Sequence, residues 1–122
     1  CAMVLATNAP LDARQLRRLA RRTFAGMART GASFSHGSGD YTFAFSTGFL
    51  DTTPRAPLPD AVLTPLFRAA ADAAEEAILN SLLRARSVKG WKGHEVKALP
   101  VESVRAALRG AGAKEGKRPG GP

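Results

Sequence analysis

Cys1-Ala2-Met3-Val4-Leu5-Ala6-Thr7 is the stretch on which the reading of this chain turns. Ala2 to Thr7 is an apolar run of strand length, which predicts a strand buried on both faces. Cys1 then stands at the start of a buried strand, and the strand tethers an end that would ordinarily fray. Asn8-Ala9-Pro10 follows as a turn.

Working outward, the next segment carries a well-formed helix start. Asp12 is an N-cap with Gln15 three residues on, the spacing of a capping box, and Leu11 and Leu16 fit a hydrophobic staple. Leu16, Leu19, Ala20, Thr23, Phe24 and Met27 recur at helical spacing and form one apolar face. Gly31 fits the residue that ends such a helix. Ser33 to Gly39 reads as a loop closed by Asp40, and Tyr41 to Thr47 as a second strand rich in aromatic and β-branched residues. Gly48 to Leu63, with Pro54, Pro57 and Pro59, is a long connection expected to wrap a surface or line a site. Thr64-Pro65 opens a long helix to Ala85, with Leu66, Ala70, Ala73, Ala74, Ala77, Ile78 and Leu82 as its expected buried positions. Ser87 to Leu99 is a loop or small hairpin, and Pro100 to Leu108 a short last helix. Residues 110–122 are rich in Gly, Lys and Pro without apolar pattern, a flexible basic tail. Two strands cannot make a stable sheet alone. The chain is therefore expected to complete its sheet with another polypeptide.

Composition narrows the partners. Formal net charge is +8, from 18 Lys and Arg against 10 Asp and Glu, which invites a nucleic-acid reading. The distribution opposes it. Arg14, Arg17, Arg18, Arg21 and Arg22 share one helix, the pattern of a solvated face or of one that meets an acidic partner. One Trp and one Tyr cannot supply a row of stacking platforms. No nucleic-acid partner is expected. No 18-residue apolar run offers a membrane span, and no secretory signal is legible. With Cys1 the only cysteine, no disulfide forms within the chain, which fits a reducing, cytoplasmic compartment.

Cys1 carries the chemistry. The chain opens on Cys and not Met, so this end is expected to be cut, by the protein itself or by a protease, unless it was trimmed. A hydrolytic nucleophile needs a base, and an N-terminal Cys brings one: its own amine, with a pKa of about 7.7–8.0 in model compounds. The thiol ionises near about 8.5, so modest stabilisation leaves much of it as thiolate at neutral pH. The amine exists only once the preceding peptide bond is broken. Activation and cleavage are then one event. His36-Gly37-Ser38-Gly39-Asp40 is the second candidate region. Its glycines let a substrate approach the backbone. Ser38 can relay or donate a hydrogen bond, and Asp40 can orient the Cys1 amine or bind a substrate amine. The alternative is an ordinary turn in which Asp40 caps a neighbouring amide. A Cys1–His36 dyad is a further possibility. A metal site of Cys1, His36, Asp40 and His94 finds no support in ligand spacing.

Several stretches, in order, bring a family into view: Ala6-Thr7-Asn8-Ala9-Pro10-Leu11, Arg14-Gln15-Leu16-Arg17-Arg18-Leu19-Ala20, Ala28-Arg29-Thr30-Gly31, Gly37-Ser38-Gly39-Asp40, Ala44-Phe45-Ser46-Thr47, Glu75-Glu76-Ala77-Ile78-Leu79-Asn80 and Gly93-His94-Glu95-Val96-Lys97-Ala98-Leu99-Pro100. Together they resemble the C-terminal (β) subunit of the DmpA-like L-aminopeptidase/D-esterase family, which includes β-peptidyl aminopeptidases and looks related to nylon-oligomer hydrolases. The resemblance spans about residues 1–109, everything but the tail.

It implies an α+β fold, an αββα sandwich of the N-terminal-nucleophile type. Its sheets are shared with a separate N-terminal α subunit cut from the same precursor. It implies a tetramer of αβ heterodimers that releases N-terminal residues from small peptide, amide or ester substrates, with no cofactor and no metal. Residue by residue, Cys1 falls on the family's nucleophile, Ser38 on the serine of its Gly-Ser-Gly-acid loop, and Asp40 on the acid that supports nucleophile and substrate amine. His36, Gly37 and Gly39 fall beside them as substrate-binding positions. Two departures stand out: the nucleophile is usually serine, sometimes threonine, and His36 takes a place where asparagine is expected. The expected reaction is acyl transfer to Cys1 and hydrolysis of the resulting thioester. The alternative is an altered member that transfers acyl groups, or a self-processing binding or assembly subunit without hydrolysis.

Overall fold

A computed structural model describes residues 1–50 and 55–112. The chain is α+β, in the order β1 (Ala2–Thr7), α1 (Ala13–Arg29), β2 (Tyr41–Ser46), α2 (Thr64–Arg84), β3 (Val88–Lys89), β4 (Glu95–Val96) and α3 (Val101–Gly110). Single 3₁₀ turns lie at Asp60–Val62 and Trp91–Gly93. By internal contacts the chain forms two units, Cys1–Asn80 and Ser81 onward.

The first unit is built around one crossover. β1 and β2 pair in parallel and in register, from Ala2 opposite Tyr41 to Thr7 opposite Ser46. Parallel strands need a connection of a dozen or more residues, and α1 supplies it with 17. α1 starts where the capping box predicts. The Gln15 amide donates to Asp12 Oδ1 at 2.7 Å, and the Asp12 amide donates to Gln15 Oε1 at 3.1 Å. It ends at Thr30, and Gly31 then takes φ +91°, the left-handed conformation that favours glycine.

Leu11, Leu19, Leu63 and Ala70 form the core, with Leu5, Leu16, Leu58, Leu66 and Phe67 packed against it. Gln15 is buried beside them and stays satisfied: its Nε2 donates to the Leu58 carbonyl at 2.6 Å and to Asp60 Oδ1 at 2.9 Å. Arg14 grips the same carboxylate through two nitrogens at 2.8 and 2.9 Å, and Arg18 adds a bond of 2.9 Å. The Asp60 carboxyl is held well below the usual range, first by Arg14 and then by Gln15. The described part of the proline-rich connection is therefore laced to α1. Pro54 lies outside the described residues.

Three expectations need revising. β1 and β2 are buried on one face only: Met3, Leu5, Thr42 and Ala44 turn inward, while Val4 and Phe43, opposite each other in register, are 70% and 66% exposed. α1 covers one side of this two-stranded sheet, and among the described residues of this unit no other layer covers the second. The buried face of α2 is also narrower than expected. Ala70 and Ala71 are buried, Ala74 and Ile78 half-buried, but Ala73, Ala77 and Leu82 are exposed. The contact is set by Gly26 of α1, where an added Cβ would lie 2.1 Å from the Ala71 carbonyl oxygen. The two backbones meet there, so only the α2 residues around that point are enclosed. Finally, α3 runs to Gly110, beyond the expected Leu108.

In the second unit, Val88 pairs with Val96 and Lys89 with Glu95, antiparallel, which makes Ser87 to Leu99 a small hairpin. Lys92 and Gly93 take positive φ in its turn. Of the expected tail, residues 113–122 lie outside the described residues.

Candidate functional site

The in-register pairing of β1 and β2 decides what stands at their heads. Ala2 lies opposite Tyr41, so the residues before them, Cys1 and Asp40, are brought side by side although 39 positions apart. The Tyr41 amide donates to the Cys1 carbonyl at 3.1 Å, which extends the strand pairing to the terminal residue. The Cys1 ammonium then donates to Asp40 Oδ1 at 2.6 Å. Ser38 Oγ donates to the other oxygen, Oδ2, at 2.5 Å. Ser38 is itself set by a turn, in which its amide donates to the Ser35 carbonyl at 3.0 Å and Gly37 takes φ +92°. That conformation costs glycine little and most other residues much.

The three residues differ in exposure. The Asp40 side chain is 7% exposed, enclosed by its two donors, whereas that of Cys1 is 34% exposed. The Cys1 ammonium lowers the Asp40 pKa most, Ser38 lowers it further, and burial opposes both. Asp40 is therefore a carboxylate that accepts from both sides. Its bonds orient the Cys1 nitrogen and leave the thiol accessible.

The other sequence-derived candidates stand differently. His36 is exposed and has no hydrogen-bond or ion-pair partner among the described residues, so nothing joins it to Cys1 as a dyad. Gly37 and Gly39 face open space, where an added Cβ would meet no atom within 4 Å. No group of three or more His, Cys, Asp or Glu among the described residues is placed to hold a metal ion. His94 belongs to the hairpin. No described helix is long and apolar enough to cross a membrane.

One feature had no signal in the sequence. An open groove of about 300 Å³ runs between α1 and β2, lined by Ala13, Leu16, Arg17, Ala20, Thr42, Phe43 and Ala44. Cys1, Ser38 and Asp40 do not line it. It follows from the edge of β2 that has no strand beside it among the described residues.

With this geometry in hand, the class is plain. The chain belongs to Peptidase family S58, whose family model matches residues 1–96. Among individual proteins, it is 40% identical over 114 residues to the beta-peptidyl aminopeptidase BapA of Sphingosinicella microcystinivorans, a match covering 88% of this chain and 29% of that protein. Its fold is similar to the L-aminopeptidase D-Ala-esterase/amidase of Ochrobactrum anthropi, described as a variant of the Ntn hydrolase fold. The TM-score is 0.76 at 35% identity, over 91% of this chain and 34% of that one. A β-aminopeptidase from Burkholderia sp. aligns with a TM-score of 0.78 at 33% identity, over 92% of this chain and 35% of that one. The chain thus spans about a third of the length of these relatives.

Proposed function

We propose that this chain is the nucleophile-bearing β subunit of an N-terminal-nucleophile aminopeptidase, with Cys1 as the attacking group. The observation that carries the reading is the Cys1 amine held by Asp40 at 2.6 Å, with Asp40 held in turn by Ser38. Residues 1–109 form the subunit's part of an αββα sandwich, and residues 110–122 its basic tail.

The reaction follows from this arrangement. The Cys1 amine takes the thiol proton, and the thiolate attacks the scissile carbonyl. The ammonium returns the proton to the leaving amine, which departs and leaves a thioester on Sγ. Water, activated by the same amine, then releases the acid. No step needs a metal or a cofactor. Asp40 and Ser38 orient the nitrogen throughout. His36, Gly37 and Gly39 border the space where the substrate's N-terminal residue lies. The substrates are small peptides, amides or esters, including those of β-amino acids, as the relatives' names suggest.

The missing surroundings come from an α subunit cut from the same precursor. The apolar outward face of β1 and β2, with Val4, Tyr41, Phe43 and Phe45 exposed, supports this, because a monomer rarely leaves such a patch in water. The assembly is a tetramer of αβ pairs in the cytoplasm, where a lone thiol stays reduced.

Intact mass spectrometry of the full gene product tests the reading. Two fragments from the wild type, one beginning at Cys1, and a single uncut chain from Cys1→Ala are expected. Equal cutting of both proteins, or of neither, would remove Cys1 from the mechanism.

A further inference from the structure

A thioester at Cys1 carries a hazard created by its own activating group. Thiol and amine sit on adjacent carbons of one residue, so the acyl carbon on Sγ is within reach of the nitrogen through a five-membered ring. If the nitrogen attacks, an N–C bond forms, the S–C bond breaks and the nitrogen's proton passes to the sulfur. The product is an N-acyl Cys1 with its thiol restored. That amide is stable, and it has consumed the base on which turnover depends. An oxygen nucleophile runs a smaller risk, because an alkoxide leaves poorly, whereas a thiol ionising near about 8.5 leaves readily. A family site that carries cysteine therefore has a particular need to control its amine.

The structure holds the groups for such control. The nitrogen is drawn onto Asp40 Oδ1 at 2.6 Å. The Asp40 side chain is 7% exposed and is anchored at its second oxygen by Ser38 at 2.5 Å. On the other side of the same residue, the Cys1 carbonyl accepts from the Tyr41 amide at 3.1 Å. Two substituents of the Cys1 Cα are thus tied to β2 and the loop before it, and only the thiol arm is left untethered.

We propose that Asp40 is also a guard of the acyl-enzyme: by holding the Cys1 nitrogen, it keeps the nitrogen's lone pair off the thioester and suppresses S-to-N acyl migration. The inference rests on Cys1 being the nucleophile. Ser38 acts through Asp40 as its positioning residue. Turning the lone pair onto the acyl carbon means breaking a charge-assisted bond to an enclosed carboxylate, and water meets the thioester first.

The test uses the assembled protein, α and β chains coexpressed so that Cys1 is freed by removal of an initiator methionine and no variant depends on self-cleavage. S-phenyl thioacetate acetylates a thiol by thioester exchange, so loading does not depend on the catalytic base either. Intact and peptide mass spectrometry then follow the acetyl group on residue 1, before and after neutral hydroxylamine, which cleaves thioesters and spares amides. In the wild type, the adduct is expected to be hydroxylamine-labile and to decay to free enzyme. In Asp40→Asn, the hydroxylamine-stable fraction on the Cys1 nitrogen should rise by about tenfold or more, the scale expected for loss of one bond to a charged group. Its thiol should again react with iodoacetamide. Asp40→Glu should restore the labile adduct, and Ser38→Ala, which keeps the carboxylate but loosens it, should fall between. A labile adduct in Asp40→Asn that hydrolyses as in the wild type would overturn the guard while leaving the nucleophile in place. A wild type whose acetyl group at residue 1 is hydroxylamine-stable would overturn the guard alone, and a wild type that acquires no acetyl group at residue 1, labile or stable, would sink the nucleophile and the guard together.

Discussion

At the scale of single residues, the site is a chain of three hydrogen-bonding groups whose ends differ in character. Asp40 is enclosed and accepts from both Ser38 and the Cys1 ammonium, while the thiol stays accessible. The lowered pKa of Asp40 sets a sign for its pH dependence. Because the folded value lies below the unfolded one, near about 3.9, the contribution of these bonds is fully present above the unfolded value. It is lost as pH falls through the folded value. Ser38→Ala removes the second-largest of the lowering causes, after the bond to the Cys1 ammonium. The carboxyl ¹³C titration midpoint of Asp40 is therefore expected to move up in that variant while staying below the ordinary carboxylate value. An unchanged midpoint would show that Ser38 does not hold Asp40 in solution. The Gly-Ser-Gly-Asp motif was readable as a site or as a common turn, and spacing alone left both open. What joined it to Cys1 was a contact between residues far apart in the chain.

At the scale of elements, α1 does three jobs that its sequence shows unequally. Its start was legible, since Asp12, Gln15 and the flanking leucines are local signals, and the capping box forms as they predict. Asp12→Ala is expected to cost about 1 kcal/mol, measurable as a drop in the urea midpoint with an unchanged slope. Its crossing with α2 was not legible. Gly26 looks unremarkable in an apolar helical face, yet an added Cβ would sit 2.1 Å from one backbone atom of α2 and 2.9 Å from another. Backbone cannot swing aside as a side chain does. Gly26→Ala should therefore destabilise by about 1–3 kcal/mol despite alanine's better helix propensity, read as a lower Tm. A Tm at or above that of the wild type would mean that the helices separate without cost. The third job, holding the proline-rich connection, falls to Arg14, Gln15 and Arg18, which converge on Asp60. Of the arginines read as a solvated face, two are committed to this carboxylate. Arg18 and Arg22 also lie over the Phe67 ring, at 5.2 and 4.6 Å.

At the scale of the whole molecule, the exposed side of the β1–β2 pair dominates. Val4 and Phe43 face each other across the pair and are both largely exposed, with Tyr41 and Phe45 flanking. If an α subunit covers this face, charge introduced there breaks assembly without touching Cys1. Phe43→Lys in the full precursor is expected to shift the mature protein from a large complex to smaller or aggregated species by sedimentation, whereas the exposed Arg21→Lys should not. A Phe43→Lys protein of wild-type size would place the covering surface elsewhere. The apolar pattern of Ala2 to Thr7 read as burial on both faces, and among the described residues only one face is covered.

By itself, the sequence determined what neighbouring residues settle among themselves: both strands, the capped start of α1 and the glycine that ends it. These depend on backbone conformation and on hydrophobic period, which act over a few positions. The family too was legible, because it rests on motifs in order. Only the tertiary structure decided that Cys1 and Asp40 meet, that α2 buries Ala70 and Ala71 and not Ala77, and that Gly26 is a point of backbone contact. Each of these depends on the register between strands or on the crossing of two helices. A shift of one residue in the parallel pairing would part the amine from its carboxylate while leaving every local signal in the sequence unchanged.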